Sequence, residues 1–243
     1  HRYNILTQTI LEFLLEVPST RRAKELTEAE ITSIIRKITH RRDRKIPFTT
    51  SEIMEIIHNT ISIDAPNREE ILRSCIKRLF HLQEELARLK PKFIDKAKAN
   101  YSEAMEIITS IPGIGELTAA NFVTEIPAIA TMSSPKKIIA ASGIDPIIQE
   151  SGKSKGQYRI SKRGNRHLRR TIYQMTIGTI LYTQMFRSYY ERKKKQGMKA
   201  KKAIIATANK LLRVLYTLLT RKITFSDIRH PESPPIPAPI LHS

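Results

Sequence analysis

Residues 149–170 read QESGKSKGQYRISKRGNRHLRR, with Ser151 between Glu150 and Gly152 and a dense run of cations behind it. An activated serine hydroxyl can attack phosphorus when cations clamp the non-bridging oxygens and a leaving group departs in line. Arginine grips phosphate bidentately and lysine acts as a point charge. Lys153, Arg159, Lys162, Arg163, Arg169 and Arg170 are therefore candidates to hold a nucleic-acid strand. From Glu150 to Lys202 there are sixteen Lys or Arg against two acids, Glu150 and Glu191, so the charge is concentrated rather than spread. Gly152 and Gly156 interrupt the run, which argues against one solvated helix face. A serine in a loop is more often a turn or cap residue, and the cations alone do not single out Ser151 from Ser154 or Ser161.

The whole chain repeats this bias. Its 243 residues carry a formal charge of +19, which opposes compaction and draws in polyanions through long-range attraction and counterion release. At 40% hydrophobic residues the chain still has the means to bury a core, so a disordered polycation is excluded. Cys75 is the single cysteine and cannot form an internal disulfide, which fits a reducing compartment. No uninterrupted apolar run approaches the ~18 residues of a membrane span. The start of the sequence lacks the charged-then-apolar layout of a signal peptide. The histidines, among them His40, His58, His81, His167 and His230, are scattered without metal-ligand spacing, and no metal site is expected.

The elements that must position these residues read as helices, giving a mainly α fold. Residues 4–16 place Ile5, Ile10, Phe13 and Leu14 on one stripe, Thr27 opens a helix through Ile38, and Thr50 or Ser51 caps a third near 52–62. This makes a helical layer over 1–66. Over 67–103 a heptad appears, with Leu72, Leu79, Leu86 and Phe93 at one position and Cys75, Leu82 and Leu89 at the next. Such spacing suits a coiled coil and equally an ordinary core-facing helix, with Pro91 kinking it or ending it early. Residues 104–126 read as helix, turn, helix around IPGIG, where Gly113 and Gly115 permit positive φ and close backbone approach. In a helix-hairpin-helix that turn offers backbone N–H groups to a phosphate; in a plain helical hairpin it only reverses the chain. Further helices are predicted near 134–142, over 164–190 and, after a basic break at 192–202, over 203–219. The Pro-rich segment within 227–243 reads as a flexible tail.

Four blocks, IPGIGELTAANFVTEI, SSPKKIIAASGIDP, ESGKSKGQYRISKRGNRHLRRTIY and YYERKKKQGMKAKKAIIATANKLLRVLYTLL, occur in order across about 105–225. Together they resemble the C-terminal transposase domain of the bridge-RNA-guided insertion-sequence recombinases. Residues 1–100 resemble the helical and coiled-coil region preceding it. The resemblance implies a transposase domain over 104–226. It implies a recombinase of the prokaryotic cytoplasm and nucleoid that nicks and rejoins DNA through a phosphoserine link, with sites chosen by pairing to a structured guide RNA. By the same resemblance the nucleophile is Ser151, Gly152 leaves room beside it, and Arg159, Lys162, Asn165 and Arg169 contact the strand or the RNA. A homo-oligomer through the heptad helix is expected, with no membrane partner.

The family pairs this domain with a RuvC-like domain bearing four metal-binding acids, and Asp43, Asp64, Asp95 and Asp145 make no such set. No cofactor is therefore expected within this chain; Mg2+ belongs with the RuvC-like domain. The expectation is a truncated copy that binds nucleic acid but cannot complete recombination unaided. The alternative reading is a non-catalytic helical protein that holds DNA or structured RNA. A basic ribosomal scaffold explains the charge but not the segment around Ser151.

Overall fold

The computed structural model describes residues 7–40, 49–60, 66–126, 132–147 and 159–228. Among these the fold is mainly α, and the chain divides into two compact units, 1–88 and 89–243, with the division inside a long helix.

In the first unit, α1 (Gln8–Glu16), α2 (Thr20–Lys24), α3 (Glu28–His40) and α4 (Thr50–Asn59) close over Val17, Ala23, Ile31 and Ile57. The α4 cap is Thr49, one residue before the predicted pair. Its hydroxyl accepts from the Glu52 N–H, and the Glu52 carboxylate accepts from the Thr49 N–H, a reciprocal capping box. The short α2 was not legible from periodicity. It is started by Ser19, whose hydroxyl accepts from the Arg22 N–H.

Helix α5 (Pro66–Asn100) continues past Pro91, so of the two expected effects of that proline, a kink or an early end, the early end does not occur. Proline costs a helix the bond to the carbonyl four residues earlier. That residue, Ala87, is exposed, so solvent can take the freed acceptor. Over 81–92 the helix is exposed or half-buried at every position, and Leu82, Leu86 and Leu89 stand 47, 53 and 49% exposed.

The second unit holds α6 (Ser102–Thr109), α7 (Glu116–Glu125), α8 (Pro135–Ser142), α9 (Arg166–Tyr182), α10 (Gln184–Lys195) and α11 (Ala200–Arg221). Helix α11 packs against α6, α8, α9 and α10, while α7 lies on α6 and α9. By length and composition α11 alone among the described helices could cross a membrane. Here it is a core helix, with Leu211, Leu212, Leu215 and Leu218 fully buried. The predicted single helix over 164–190 is two helices, broken at Thr183. The Thr183 backbone is extended and its hydroxyl donates to the Pro112 carbonyl at 3.0 Å. The predicted basic break at 192–202 is narrower, because α10 continues to Lys195.

Close backbone contacts set how these helices meet. Gly113, at φ 95°, lies against Gly178 of α9, and a Cβ on either would come within 2.3 Å or 2.0 Å of the other's chain. A second contact joins Gly143 (φ 64°) and Gly164, where a Cβ on Gly164 would meet the Ala141 carbonyl oxygen at 2.1 Å. No side chain fits at Gly113, Gly164 or Gly178 without moving backbone.

Candidate nucleic-acid interface

The segments leaving α8 and entering α9 are zipped together by main-chain bonds. Asn165 N–H donates to the Ala141 carbonyl at 2.7 Å, Lys162 N–H to Gly143 at 3.0 Å and Ser161 N–H to Asp145 at 3.0 Å. Two short strands, β1 (Pro146–Ile147) and β2 (Arg159–Ile160), extend the zipper antiparallel, pairing Ile147 with Arg159. The Ser161 hydroxyl reinforces it by donating to the Asp145 carboxylate at 2.5 Å. Ser151, Gly152 and Lys153 lie outside the described residues, on the connection between these two strands.

The remaining predicted contact residues fall into two groups. Asn165 and Arg169 are already engaged by the protein. Asn165 is the N-cap of α9, accepting from the His167 and Leu168 N–H groups, and its amide donates to Glu125. Arg169 is half-buried and donates to the carbonyls of Ser142 at 3.0 Å and Gly164 at 3.4 Å, clamping the glycine crossing. Lys162 and Arg163, on the second arm of the zipper, and Arg170, in α9, are exposed. Lys162 has φ 55°, a left-handed backbone that the zipper imposes on a residue with a Cβ. Of Arg159 the structure describes the backbone pairing.

Gly113 is engaged by its contact with Gly178, and the adjacent Pro112 carbonyl by Thr183, so this turn fixes a helix crossing. Gly115 is different. It is the exposed N-cap of α7, and a Cβ there would meet open space. The first residue of α7 is Glu116, ion-paired with Lys98 at 2.5 Å.

Beside the zipper runs a groove of about 950 Å3. Its lining includes the apolar Ile144, Pro146, Ile160, Met198, Ile205 and Ala206 and the cations Lys162, Lys199, Lys201 and Lys202. A second cavity of about 450 Å3 meets the first along Pro146, Met198, Ala206 and Asn209, and adds Lys136, Lys193, Arg213 and Tyr189. Among the described residues, Asp145, already bonded to Ser161, is the one acid lining either cavity. Lys199, Lys201 and Lys202 surround the N-terminus of α11, where the helix dipole favours anions, and Lys199 provides no side-chain cap. Cations are stacked against this end at a cost that a bound anion relieves.

Tyr189 sits among cations, with Lys210 4.9 Å, Arg192 5.2 Å and Lys193 5.6 Å from its ring centroid. Burial, and then the Arg192 charge, hold Lys210 below the ordinary lysine value. The basic run through Lys202 was visible in the sequence. Lys136, Tyr189, Lys210 and Arg213 were not singled out, because only the packing of α8, α10 and α11 gathers them here. Among the described residues no group of three or more His, Cys, Asp or Glu could hold a metal ion.

Residues 105–191 match the family model described as "Transposase IS116/IS110/IS902 family". The chain is 30% identical over 115 residues to the insertion element IS900 uncharacterized 42 kDa protein of Mycobacterium paratuberculosis, a match covering 47% of this chain and 29% of the relative. It is 28% identical over 121 residues to the insertion element IS116 uncharacterized 44.8 kDa protein of Streptomyces clavuligerus, covering 50% and 30%. Against the transposase for insertion sequence element IS1111A of Coxiella burnetii the figures are 27% over 168 residues, 66% and 44%. The matches thus span less than half the length of each of these relatives.

Proposed function

We propose, from the premise that residues 105–191 form a transposase domain of the IS116/IS110/IS902 family, that this protein cuts and rejoins DNA with Ser151 as the nucleophile. The observation that carries the reading is the cation-lined groove beside the zipper from which the Ser151 segment departs.

In the reaction the Ser151 Oγ bonds to phosphorus as the bond from phosphorus to a deoxyribose oxygen breaks. The serine proton passes to the departing oxygen. Attack by the hydroxyl of the incoming strand reverses both changes and frees the serine, so one phosphodiester is exchanged for another. Lys162, Lys199, Lys201 and Lys202 neutralise the non-bridging oxygens, and Arg163 and Arg170 extend the contact along the strand. Asn165 and Arg169 act from behind, holding the zipper and the α9 N-terminus in place.

A structured guide RNA that selects the sites, and self-association through the exposed leucines of α5, belong to this reading. In this reading Mg2+ belongs to a RuvC-like region, whether on the same polypeptide or supplied by another. Bacterial cytoplasm is the compartment that suits this function.

The second reading, a non-catalytic helical protein that holds DNA or RNA, draws on the same groove. A suicide substrate nicked near the cleavage point separates the two, incubated with the protein and Mg2+, with and without a RuvC-like domain supplied in trans. The expected result is an SDS-resistant protein–DNA adduct that Ser151→Ala abolishes while DNA binding persists. Binding without an adduct in either arm establishes the second reading.

A further inference from the structure

The groove is not uniformly charged, and its polarity points to the form of nucleic acid that fills it. Its lining mixes the apolar side chains of Ile144, Ile160, Met198 and Ile205 with cations, Lys162, Lys199, Lys201 and Lys202 in the larger cavity and Lys136, Lys193 and Arg213 in the adjoining one. Tyr189 supplies an aromatic ring in the second cavity. A duplex presents phosphates outward and keeps its bases stacked inside. Laid on this surface it would meet the lysines but leave the apolar side chains wet, or press phosphate oxygens against side chains that offer them no donor. An unpaired nucleotide complements both parts of the lining: a flat apolar base for the apolar side chains and phosphates for the cations. Each of the two adjoining cavities, about 950 Å3 and about 450 Å3, falls in the size range of a pocket for a small organic group.

We propose that the groove between the β1–β2 pairing and the α10–α11 junction holds an unpaired segment of single-stranded DNA. One base lies on Met198 and Ile205, and a neighbour lies toward Tyr189. This rests on the DNA-rejoining reading above and sharpens it: the domain engages a locally melted strand at the zipper. Met198 is the residue that isolates the idea. It is half-buried, bridges the two cavities and lies outside the clustered core, so its replacement alters the lining and spares the fold.

Fluorescence anisotropy on the full chain tests this with three labelled probes of equal length: an oligothymidylate, the same backbone made of abasic residues, and a hairpin duplex. The wild type should bind the oligothymidylate roughly tenfold more tightly than the abasic strand, the scale of one stacked base. Met198→Ser and Tyr189→Ala should each erase most of that preference, Met198→Leu should keep it, and duplex affinity should change less than about twofold in all three. Paired Lys201→Gln and Lys202→Gln substitutions should weaken every probe alike. Equal wild-type affinity for the thymidylate and abasic strands overturns the proposal while leaving DNA binding intact, as does a Met198→Ser loss shared by the duplex. Failure to bind any probe overturns the DNA-rejoining reading itself.

Discussion

Lys210 shows what a single charge costs inside a basic protein. Burial is the larger cause of its lowered value and Arg192 the second, so the folded state holds that proton less tightly than the unfolded chain does. The charged form therefore opposes folding. That opposition is complete below the folded value and fades as pH rises from it toward the ordinary 10.5. Lys210→Met should remove this pH dependence. Thermal melts of variant and wild type should differ most near neutral pH, with the variant's relative advantage shrinking as 10.5 is approached. A constant difference across that range would show that the lost ring contacts with Tyr189 and Phe186 dominate instead. Legibility at this scale was uneven for a physical reason. Composition marks Lys162, Arg163 and Arg170 as cations, and exposure leaves them free to act as cations. Asn165 and Arg169 carry the same kind of signal in the sequence, yet a cap and two backbone carbonyls engage them, and those partners exist only once the chain is folded.

The helices themselves offer a contest of signs at Gly178. Within α9, replacing glycine by alanine gains about 1 kcal/mol of helix propensity. The Gly113 carbonyl oxygen, 2.0 Å from where the new Cβ would sit, turns that gain into a larger loss, since overpacking costs typically 1–3 kcal/mol and here the obstacle is backbone. Gly178→Ala should therefore lower the urea midpoint despite better propensity. Gly115→Ala, with open space at its Cβ, should leave the midpoint nearly unchanged. Elements built from local repeats were readable: the stripes of α3, α6, α7 and α8 lie close to their predicted spans. What local repeats do not carry was missed. The break between α9 and α10 depends on Thr183 reaching Pro112, 71 residues away, and two-residue strands are too short to show any period. The early end expected at Pro91 does not occur, since whether a proline ends a helix depends on whether solvent reaches the freed carbonyl.

At the scale of the molecule, a formal charge of +19 is distributed over two units that each close around their own core. The uncovered middle of α5 lines up Leu82, Leu86 and Leu89 at the heptad spacing read from the sequence, which fits a seam against a second copy. Sedimentation should show wild-type protein self-associating with rising concentration, and a variant with Leu82→Gln, Leu86→Gln and Leu89→Gln should sediment as a monomer with unchanged helicity. An unchanged oligomer would move the interface elsewhere. The main-chain zipper between 141–147 and 159–165 has a consequence of another kind. Because it fastens 141–147 to 159–165 mainly by backbone bonds, joined by one side-chain bond from Ser161 to Asp145, the register of the two arms asks little of the side chains they carry away from the glycine crossing. Most side chains along the two arms can therefore change while the helices beneath them stay as they are.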